Sequence, residues 1–470
     1  MLAGMANRAD GQSSDDRDLV VIGSGSAGST VAHRCRAAGW NVSVVDERPF
    51  GGTCALRGCD PKKVLVGAAD AVDQVRRLGG KGVSGKGASI DWPALMQWKR
   101  SFTDDVPATR EKSFREAGVE PLHGRAQIVE RAADGRLVVG ITSAERTVTR
   151  LARHLVIATG AAPARLSVPG EELLRTSDDF LSLETLPRRI LFVGGGYIAF
   201  EFAHVAATAG AEVTIVHRST DPLAGFDSSL VERLVAHTRA RGIDVVLETA
   251  VTRIAKAGPG VEVSAEGPDG TRRFSVDLAI HAAGRTPALA GMGLEAAGVK
   301  YARNGVAVGS YMQSVSNPAV YAAGDAAMGG LPLTPVAAHE ARVVATNLVE
   351  GNRMTVDYRG LPTVVFTDPP LAAVGLTEEA ARVAGHKVGV KSADTTGWYT
   401  NRRLASPAGG FKVILDQDGG GILGAHVLGP GAEDLINVFA LAIRFGIPAR
   451  ELRSALLSYP SVASDIEYML

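Results

Sequence analysis

The 470-residue chain carries 50 Lys+Arg against 50 Asp+Glu, and a net charge of zero points to neither nucleic acid nor an anionic membrane surface as partner. Apolar residues make up 46%, ordinary for a globular protein, and no apolar run reaches the roughly 20 residues of a membrane span. The length exceeds what one hydrophobic core supports, so about three domains are expected. With three cysteines and no leader-like apolar stretch at the start, a reducing cytoplasm is the expected compartment.

Residues 1–17 are polar and rich in Gly, Ser and Asp, which predicts a disordered tail. Leu19-Val20-Val21-Ile22 then reads as a short buried strand. It enters Gly23-Ser24-Gly25-Ser26-Ala27-Gly28, followed by an Ala-rich helix that reaches Ala38 and stops at Gly39. Asn41–Val45 is a second strand ending at Asp46. Strand, glycine loop, helix, strand and acid together form a dinucleotide-binding pattern. Gly23 makes the tight turn, Gly25 lets backbone approach a pyrophosphate, Gly28 lets helix pack on strand, and Asp46 lies where a carboxylate grips a ribose hydroxyl. Cys35, on the first helix, reads as a buried apolar filler.

Next comes Gly51-Gly52-Thr53-Cys54-Ala55-Leu56-Arg57-Gly58-Cys59-Asp60-Pro61-Lys62-Lys63. In one continuous helix the two cysteines would lie roughly 8.7 Å apart at Cα, beyond the about 4.4–6.8 Å of a disulfide. The pair closes only if the chain bends, with Gly51, Gly52 and Gly58 giving the freedom and Pro61 a stop. Two thiols without a nearby histidine do not make a zinc site, so no metal is expected. A structural staple suits a secreted protein better than this chain. The run reads as a redox-active disulfide beside a flavin. Arg57, between the cysteines, either lowers a thiolate pKa, meets an anionic substrate or is a solvated charge.

The dinucleotide pattern recurs. Ile190–Val193 leads into Gly194-Gly195-Gly196-Tyr197-Ile198-Ala199, then a helix to about Ala209, Gly210, and a strand over Glu212–Val216. Ala199 is a permitted third small residue. This strand ends in His217-Arg218 where the first copy has Asp46. An acid there repels a 2′-phosphate and Arg218 attracts it, so NADPH is favoured over NADH. Ala224 weighs against this, standing where a second phosphate-gripping arginine is expected. Two nucleotide sites flanking one cysteine pair imply an electron path from NADPH through flavin and disulfide to an acceptor. Towards the end, Gly410–Leu415, the turn at Gly419-Gly420-Gly421 and Ile422–Val427 read as a hairpin, followed by a helix from Asp434 to Phe445.

On these residues the chain, from about Asp18 onward, resembles the class I pyridine nucleotide–disulfide oxidoreductases, the family of glutathione reductase, dihydrolipoamide dehydrogenase and mercuric reductase. Further runs carry the likeness. Leu155–Gly160 resembles the exit from the FAD domain, and Ala282-Ala283-Gly284-Arg285-Thr286-Pro287 the exit from the NADPH domain. Val320–Asp325 resembles the second FAD motif, with Asp325 on the ribityl chain. Leu333-Thr334-Pro335 resembles the helix start beneath the isoalloxazine. Pro362–Thr367 and Ala373–Glu378 resemble the start of the dimerisation domain.

The resemblance implies an α/β fold: two Rossmann-like dinucleotide-binding domains, for FAD and NAD(P)H, and a C-terminal α+β dimerisation domain. The expected spans are FAD-binding 18–163, NAD(P)H-binding 164–284, a central FAD-binding return 285–351 and an interface domain 352–470. It implies a homodimer. Gly52, Thr53, Thr159, Gly160, Asp325 and Thr334 would join Gly23, Gly25, Gly28 and Asp46 around FAD. Gly194, Gly196, Tyr197, Ala199, Arg218, Gly284 and Arg285 would serve the nicotinamide nucleotide. Cys59 would lie against the flavin and Cys54 would attack the substrate. Lys62 and Glu201 would pair near the flavin, Lys63 would face the FAD phosphates, and Tyr197 would be a lid.

One departure matters. The family's disulfide reductases carry a His-Pro-Thr run and a following Glu near the C-terminus, the His reaching across from the partner subunit as acid–base. Here Tyr459 replaces the His, Ser464 replaces the Glu, and Asp465 lies one place on. Tyrosine titrates near 10 against about 6.5 for histidine, so it is a poor base but can donate a proton to a leaving thiolate. The acceptor is then a small disulfide or other sulfur species served by Tyr459. Alternatively it is a quinone or metal ion that needs no such group, or the chain is a redox-sensing flavoprotein. His339 stands as a possible substitute base or a packed structural residue.

Overall fold

Val20-Val21-Ile22, Val44-Val45 and Leu155-Val156-Ile157 carry no polar alternation, and all are buried, as strands covered on both faces require. They form the centre of a seven-stranded sheet in the computed structural model, which describes residues 15–85 and 87–470. The described residues divide into two units. The first holds the residues up to Leu56, with Thr103–Ala162 and Thr286–Asp357. Its sheet runs, in spatial order, Glu120–His123, Val42–Asp46, Asp16–Ile22, Thr147–Ile157, Leu137–Thr142 and Arg125–Arg131, with Val320–Ala322 also on the long strand Thr147–Ile157. That long strand is parallel to Asp16–Ile22 and to Val320–Ala322 but antiparallel to Leu137–Thr142. The helices Ser26–Ala37 and Thr334–Glu350 pack on each other.

The first strand starts at Asp16, inside the stretch expected to be a polar tail; residues 1–14 lie outside the described residues. Arg17 explains the difference. It is 8% exposed, and its guanidinium donates to Ser43 Oγ at 2.7 Å and to Glu120 Oε2 at 2.7 Å. Arg150 holds the other Glu120 oxygen at 2.6 Å. A buried charge is tolerated when it is paired and hydrogen-bonded. Burial opposes ionisation of Glu120, but the hydrogen bonds from Arg150, Ser43 and Arg17 hold its carboxyl down at about 2.

The second unit holds Arg57–Phe102, Pro163–Arg285 and Tyr358–Leu470. A four-stranded parallel sheet runs Asp244–Val246, Glu212–Val216, Arg189–Val193 and Leu278–His281, beside a three-stranded antiparallel sheet spanning Ala250–Val276. A five-stranded antiparallel sheet holds Pro362–Val365, Leu371–Gly375, Ile422–Leu428, Gly410–Asp416 and Val388–Ala393. The hairpin that the sequence predicts is present, and it pairs Phe411 with Val427. The helix Ala432–Phe445, beginning two residues ahead of the expected Asp434, buries Leu435, Ile436 and Phe439 against that sheet. The helix Cys59–Arg77 packs on the helices Tyr197–Thr208 and Trp92–Arg100.

Pro61 is not a stop. It sits in the first turn of Cys59–Arg77, where the N–H it lacks has no intrahelical partner to lose. The far end of that helix enters a buried charge network. Arg241 donates to Asp73 Oδ2 at 2.5 Å and Asp368 Oδ2 at 2.6 Å, Arg77 also binds Asp368, and Thr208 Oγ1 donates to Asp73 at 2.8 Å. Asp70, three residues before Asp73, meets mainly like charges there.

Burial, and then the charges of Asp368, Glu433 and Asp73 against the opposing Lys63, push the Asp70 carboxyl from its ordinary 3.8 up to about 7. At this position the folded chain binds a proton that the unfolded chain has already released, so the contribution of Asp70 to stability is lost as pH rises from about 4 to about 7, opposite in sign to that of buried histidines such as His204 and His426, whose pKa values burial lowers. Melting temperatures followed across pH 4–8 should show the wild type losing stability relative to Asp70→Asn as pH rises. Parallel profiles would remove Asp70 as the source of that loss.

Candidate functional site

The first glycine loop is shaped by contacts that exclude any side chain. A Cβ on Gly28 would sit 1.8 Å from the Gly23 carbonyl oxygen, and one on Gly52, at φ +75, would sit 2.3 Å from Gly25 Cα. The loop before the first helix and the start of the cysteine run thus meet backbone to backbone. Ser24 joins them chemically. Its hydroxyl donates to Asp46 Oδ2 at 2.6 Å and accepts the Gly51 N–H at 3.1 Å, while its own N–H donates to the same Asp46 oxygen at 2.9 Å. The helix Ser26–Ala37 begins at Gly25 with no side-chain cap and no acid in its first turn, leaving N–H groups and positive dipole for an anion. Thr159, beside Gly160 at the end of the long strand, has a buried hydroxyl with no hydrogen-bond partner among the described residues. A glycine cradle, a bare helix start and an unanswered buried hydroxyl fit a dinucleotide such as FAD. Asp325 lies half-buried in the turn Gly324–Ala326, and Thr334 opens the helix Thr334–Glu350. Glu340, on that helix, accepts the Gly324 N–H at 2.7 Å.

The cysteine run bends at Gly58, whose φ of −144° and ψ of −114° separate the helix Gly52–Arg57 from Cys59–Arg77. Cys54 is half-buried in the first, and Cys59 is exposed as the opening residue of the second. Thr53 is exposed. Cys35, by contrast, is fully buried, and burial alone pushes its thiol up to about 12. Three residues into the second helix, Lys62 Nζ donates to Glu201 Oε1 at 2.7 Å, with side-chain exposures of 11% and 8%. The Phe366 N–H donates to the same oxygen at 2.9 Å. The Lys62 ammonium also lies 4.2 Å from the Phe366 ring centroid. Lys63, expected to face phosphates, has its ammonium 3.9 Å from that ring, a favourable placement for a cation.

The second glycine loop repeats the first in outline. Gly194 packs against the Ala282 carbonyl, Ala199 is fully buried, and the helix Tyr197–Thr208 starts at Gly196 with no side-chain cap and open space in front of that glycine. Tyr197 shares a hydrogen bond with Thr363 Oγ1 at 2.7 Å, and burial raises its hydroxyl pKa. Arg218 is exposed at the end of Glu212–Val216. Its neighbour His217 is pinned beside the loop by Ser219 Oγ at 2.7 Å. Gly284 accepts the Ala164 N–H at 3.1 Å through its carbonyl, and Arg285 is half-buried.

The remaining candidates sort clearly. His339 Nε2 accepts the Asp357 N–H at 3.1 Å, which gives this ring a structural partner. Tyr459 is 83% exposed. Ser464 closes a capping box with Ser461, and Asp465 accepts the Thr400 hydroxyl at 2.5 Å. Arg57 is no solvated charge: it is largely buried and faces Asp178 at 3.7 Å. Sequence reasoning missed Asp178 and the roles of Phe366 and Thr363. The last two sit in the quoted run Pro362–Thr367, whereas nothing local marks Asp178.

The family model described as pyridine nucleotide-disulphide oxidoreductase matches residues 17–341, and that of its dimerisation domain matches residues 361–470. Glutathione reductase of Burkholderia cepacia is 32% identical over 96% of this chain and 97% of its own. Mercuric reductase of Streptomyces lividans is 32% identical over 96% and 94%. Among solved structures, the Cu(II) complex of the HOCl-induced flavoprotein disulfide reductase RclA C43S mutant from Escherichia coli superposes with a TM-score of 0.86 at 26% identity, covering 97% of this chain and 99% of that one.

Removing one partner of a buried ion pair strands the other at a cost of about 3–5 kcal/mol, whereas replacing both with apolar groups costs far less. Glu201→Ala should therefore lower unfolding free energy in urea by about that amount, and Lys62→Met with Glu201→Leu by clearly less. A double variant as damaged as the sum of its singles would mean the two groups are not coupled.

Proposed function

The chain belongs to the pyridine nucleotide-disulphide oxidoreductase family, and from that premise we propose that it passes electrons from NADPH through FAD to the Cys54–Cys59 pair and on to a small disulfide or other sulfur acceptor. The observation that carries this reading is a cysteine pair spaced across a helix break, in a run whose start, Gly52, meets the first glycine loop backbone to backbone. When bound, the flavin and nucleotide supply the hydride and electron-pair chemistry. The protein's own groups do the rest. Reduction opens the disulfide to two thiols. The Cys54 thiolate attacks the acceptor disulfide, one thiol leaves, and Cys59 resolves the mixed disulfide and releases the second; the balance is NADPH, one proton and one disulfide in, NADP and two thiols out. Tyr459 supplies the proton to the leaving thiolate. Lys62, fixed by Glu201, keeps a positive charge three residues from Cys59. Tyr197 guards the nicotinamide side, and Arg218 meets the 2′-phosphate.

The domain spans 18–163, 164–284, 285–351 and 352–470 are proposed as the working divisions. A homodimer is supported by the dimerisation-domain match and by exposed Leu441, Phe445, Leu456 and Tyr468 within its span. In that dimer Tyr459 would serve the partner's cysteines. No helix among the described residues is long and apolar enough to cross a membrane, and a reducing cytoplasm suits a disulfide that works rather than staples. A second reading, reduction of metal ions, draws on the mercuric reductase relative and the Cu(II)-bound neighbour.

Anaerobic NADPH oxidation with glutathione disulfide, lipoamide, a quinone and Cu(II) separates the two. Disulfide turnover that disappears in Cys54→Ser is expected; metal or quinone turnover that survives there, with no disulfide activity, overturns the sulfur reading. Tyr459→Phe should slow disulfide turnover by about 10²-fold or more without slowing flavin reduction, and unchanged turnover would remove Tyr459 from the mechanism. Arg218→Ala should raise the KM for NADPH about tenfold, the worth of one charged hydrogen bond, and leave that for NADH unchanged. An equal rise for both nucleotides would show that Arg218 does not read the 2′-phosphate.

A further inference from the structure

The strands put the two dinucleotide repeats in register. In the first, Ile22 pairs with Val45, the Gly23 N–H donates to the Val45 carbonyl at 2.7 Å, and the next residue is Asp46. In the second, Val193 pairs with Val216, the Gly194 N–H donates to the Val216 carbonyl at 2.8 Å, and the next residue is His217. The side chains match as well. Asp46 turns back onto Ser24, the second residue of its loop, and accepts both its N–H and its hydroxyl. His217 turns back onto Gly195, the second residue of the other loop. A Cβ on Gly195 would sit 2.7 Å from ring Cγ and 2.9 Å from Nδ1. His217, rather than Arg218 one residue on, thus holds the place from which such a fold meets the 2′ position of the adenine ribose.

The ring is fixed there. Its own N–H donates to the Val246 carbonyl at 2.8 Å, and its carbonyl accepts the Thr249 N–H at 2.9 Å. Nε2 lies 2.7 Å from Ser219 Oγ and 3.3 Å from the Asp221 carbonyl oxygen. A carbonyl only accepts, so Nε2 carries the proton of the neutral ring, and Nδ1, on the loop side, is the nitrogen that titrates. The charges around it are few. Arg218 is its neighbour, Asp221 closes its turn, and exposed Glu248 lies on the segment whose N–H meets the Ser219 carbonyl at 3.1 Å. The helix Tyr197–Thr208 has no acid in its first turn, and its Glu201 is taken by Lys62. Burial lowers the imidazole pKa, with the Asp221 carbonyl opposing and the Arg218 charge adding to the fall. A phosphate dianion facing Nδ1 would raise it again.

Resting on the reading of NADPH as electron donor, we propose that His217 is a specificity residue which, as the imidazolium, binds the adenine-ribose 2′-phosphate alongside Arg218 and so ties the preference for NADPH over NADH to pH. It is the second cation that Ala224 does not provide. Unprotonated Nδ1 accepts a ribose hydroxyl, and protonated Nδ1 donates to a phosphate. One ring therefore serves either nucleotide, and its proton decides between them.

The test is titration calorimetry of the oxidised holoenzyme with adenosine 2′,5′-bisphosphate and with AMP, which lacks only the 2′-phosphate, at pH 6 and pH 8.5. His217→Gln should bind the bisphosphate about tenfold more weakly than the wild type at pH 6, the worth of one charged hydrogen bond, and nearly as well at pH 8.5. The phosphate's own titration is common to both proteins and cancels in their ratio. AMP binding should change little. His217→Asp, which installs the first repeat's acid, should bind the bisphosphate more weakly than the wild type at both pH values. A wild-type to His217→Gln ratio that is the same at both pH values, or an equal loss for both ligands, overturns the proposal. If His217→Gln does not accumulate, His217→Asp that binds the bisphosphate as tightly as the wild type at pH 6 overturns it too. A wild type that binds the bisphosphate no tighter than AMP at either pH overturns the NADPH reading, and this inference with it.

Discussion

A buried ammonium must be answered by a carboxylate, and much of the second unit is arranged around that requirement. Lys62 sits one turn into the helix that Cys59 begins. Glu201 sits one turn into the helix that the second glycine loop begins. The oxygen that joins them also accepts a backbone N–H from Phe366, just past the first strand of the last sheet. Three segments far apart in sequence are tied at one atom, and a misplacement of any of them leaves a charge in low dielectric without its partner. The pair is thus better understood as a register device for the redox helix than as a source of net stability.

The two glycine loops solve one problem twice with different neighbours. Each ends a buried strand, and each opens a helix with no capping side chain and no acid in its first turn, which suits an anion. They diverge at the end of the following strand. In the first, Ser24 ties the loop to an acid and to the cysteine run. In the second, a histidine packs beside the loop and an exposed arginine follows. The shared part is backbone geometry, and the distinguishing part is two or three side chains at the end of the next strand.

The sequence made most of this legible because the informative features are local. Glycine spacing, a bent cysteine run and strands without polar alternation are each written within about a dozen residues. Features that depend on distant partners were not legible. Asp178 answers Arg57 from far along the chain, and nothing in its own surroundings marks it. Arg17 reads as part of a polar tail until Glu120 and Ser43 are placed around it. Pro61 was misread as a stop because proline ends a helix from within but is tolerated in its first turn. Tyr459 was legible only as a departure from the family's histidine, and within one chain it is exposed.

The long strand Thr147–Ile157 has a further consequence. Its Leu155–Ile157 stretch is completed on one side by Val320–Ala322, and the segment between them contributes mostly to the other unit. At about 5–20 residues per second, the roughly 160 intervening residues take roughly 10–30 s to emerge from a ribosome. Throughout that interval a hydrophobic strand edge of the first unit stays unpaired, the kind of edge that recruits other chains. Vectorial synthesis therefore leaves this protein with a built-in window in which a chaperone has something to hold.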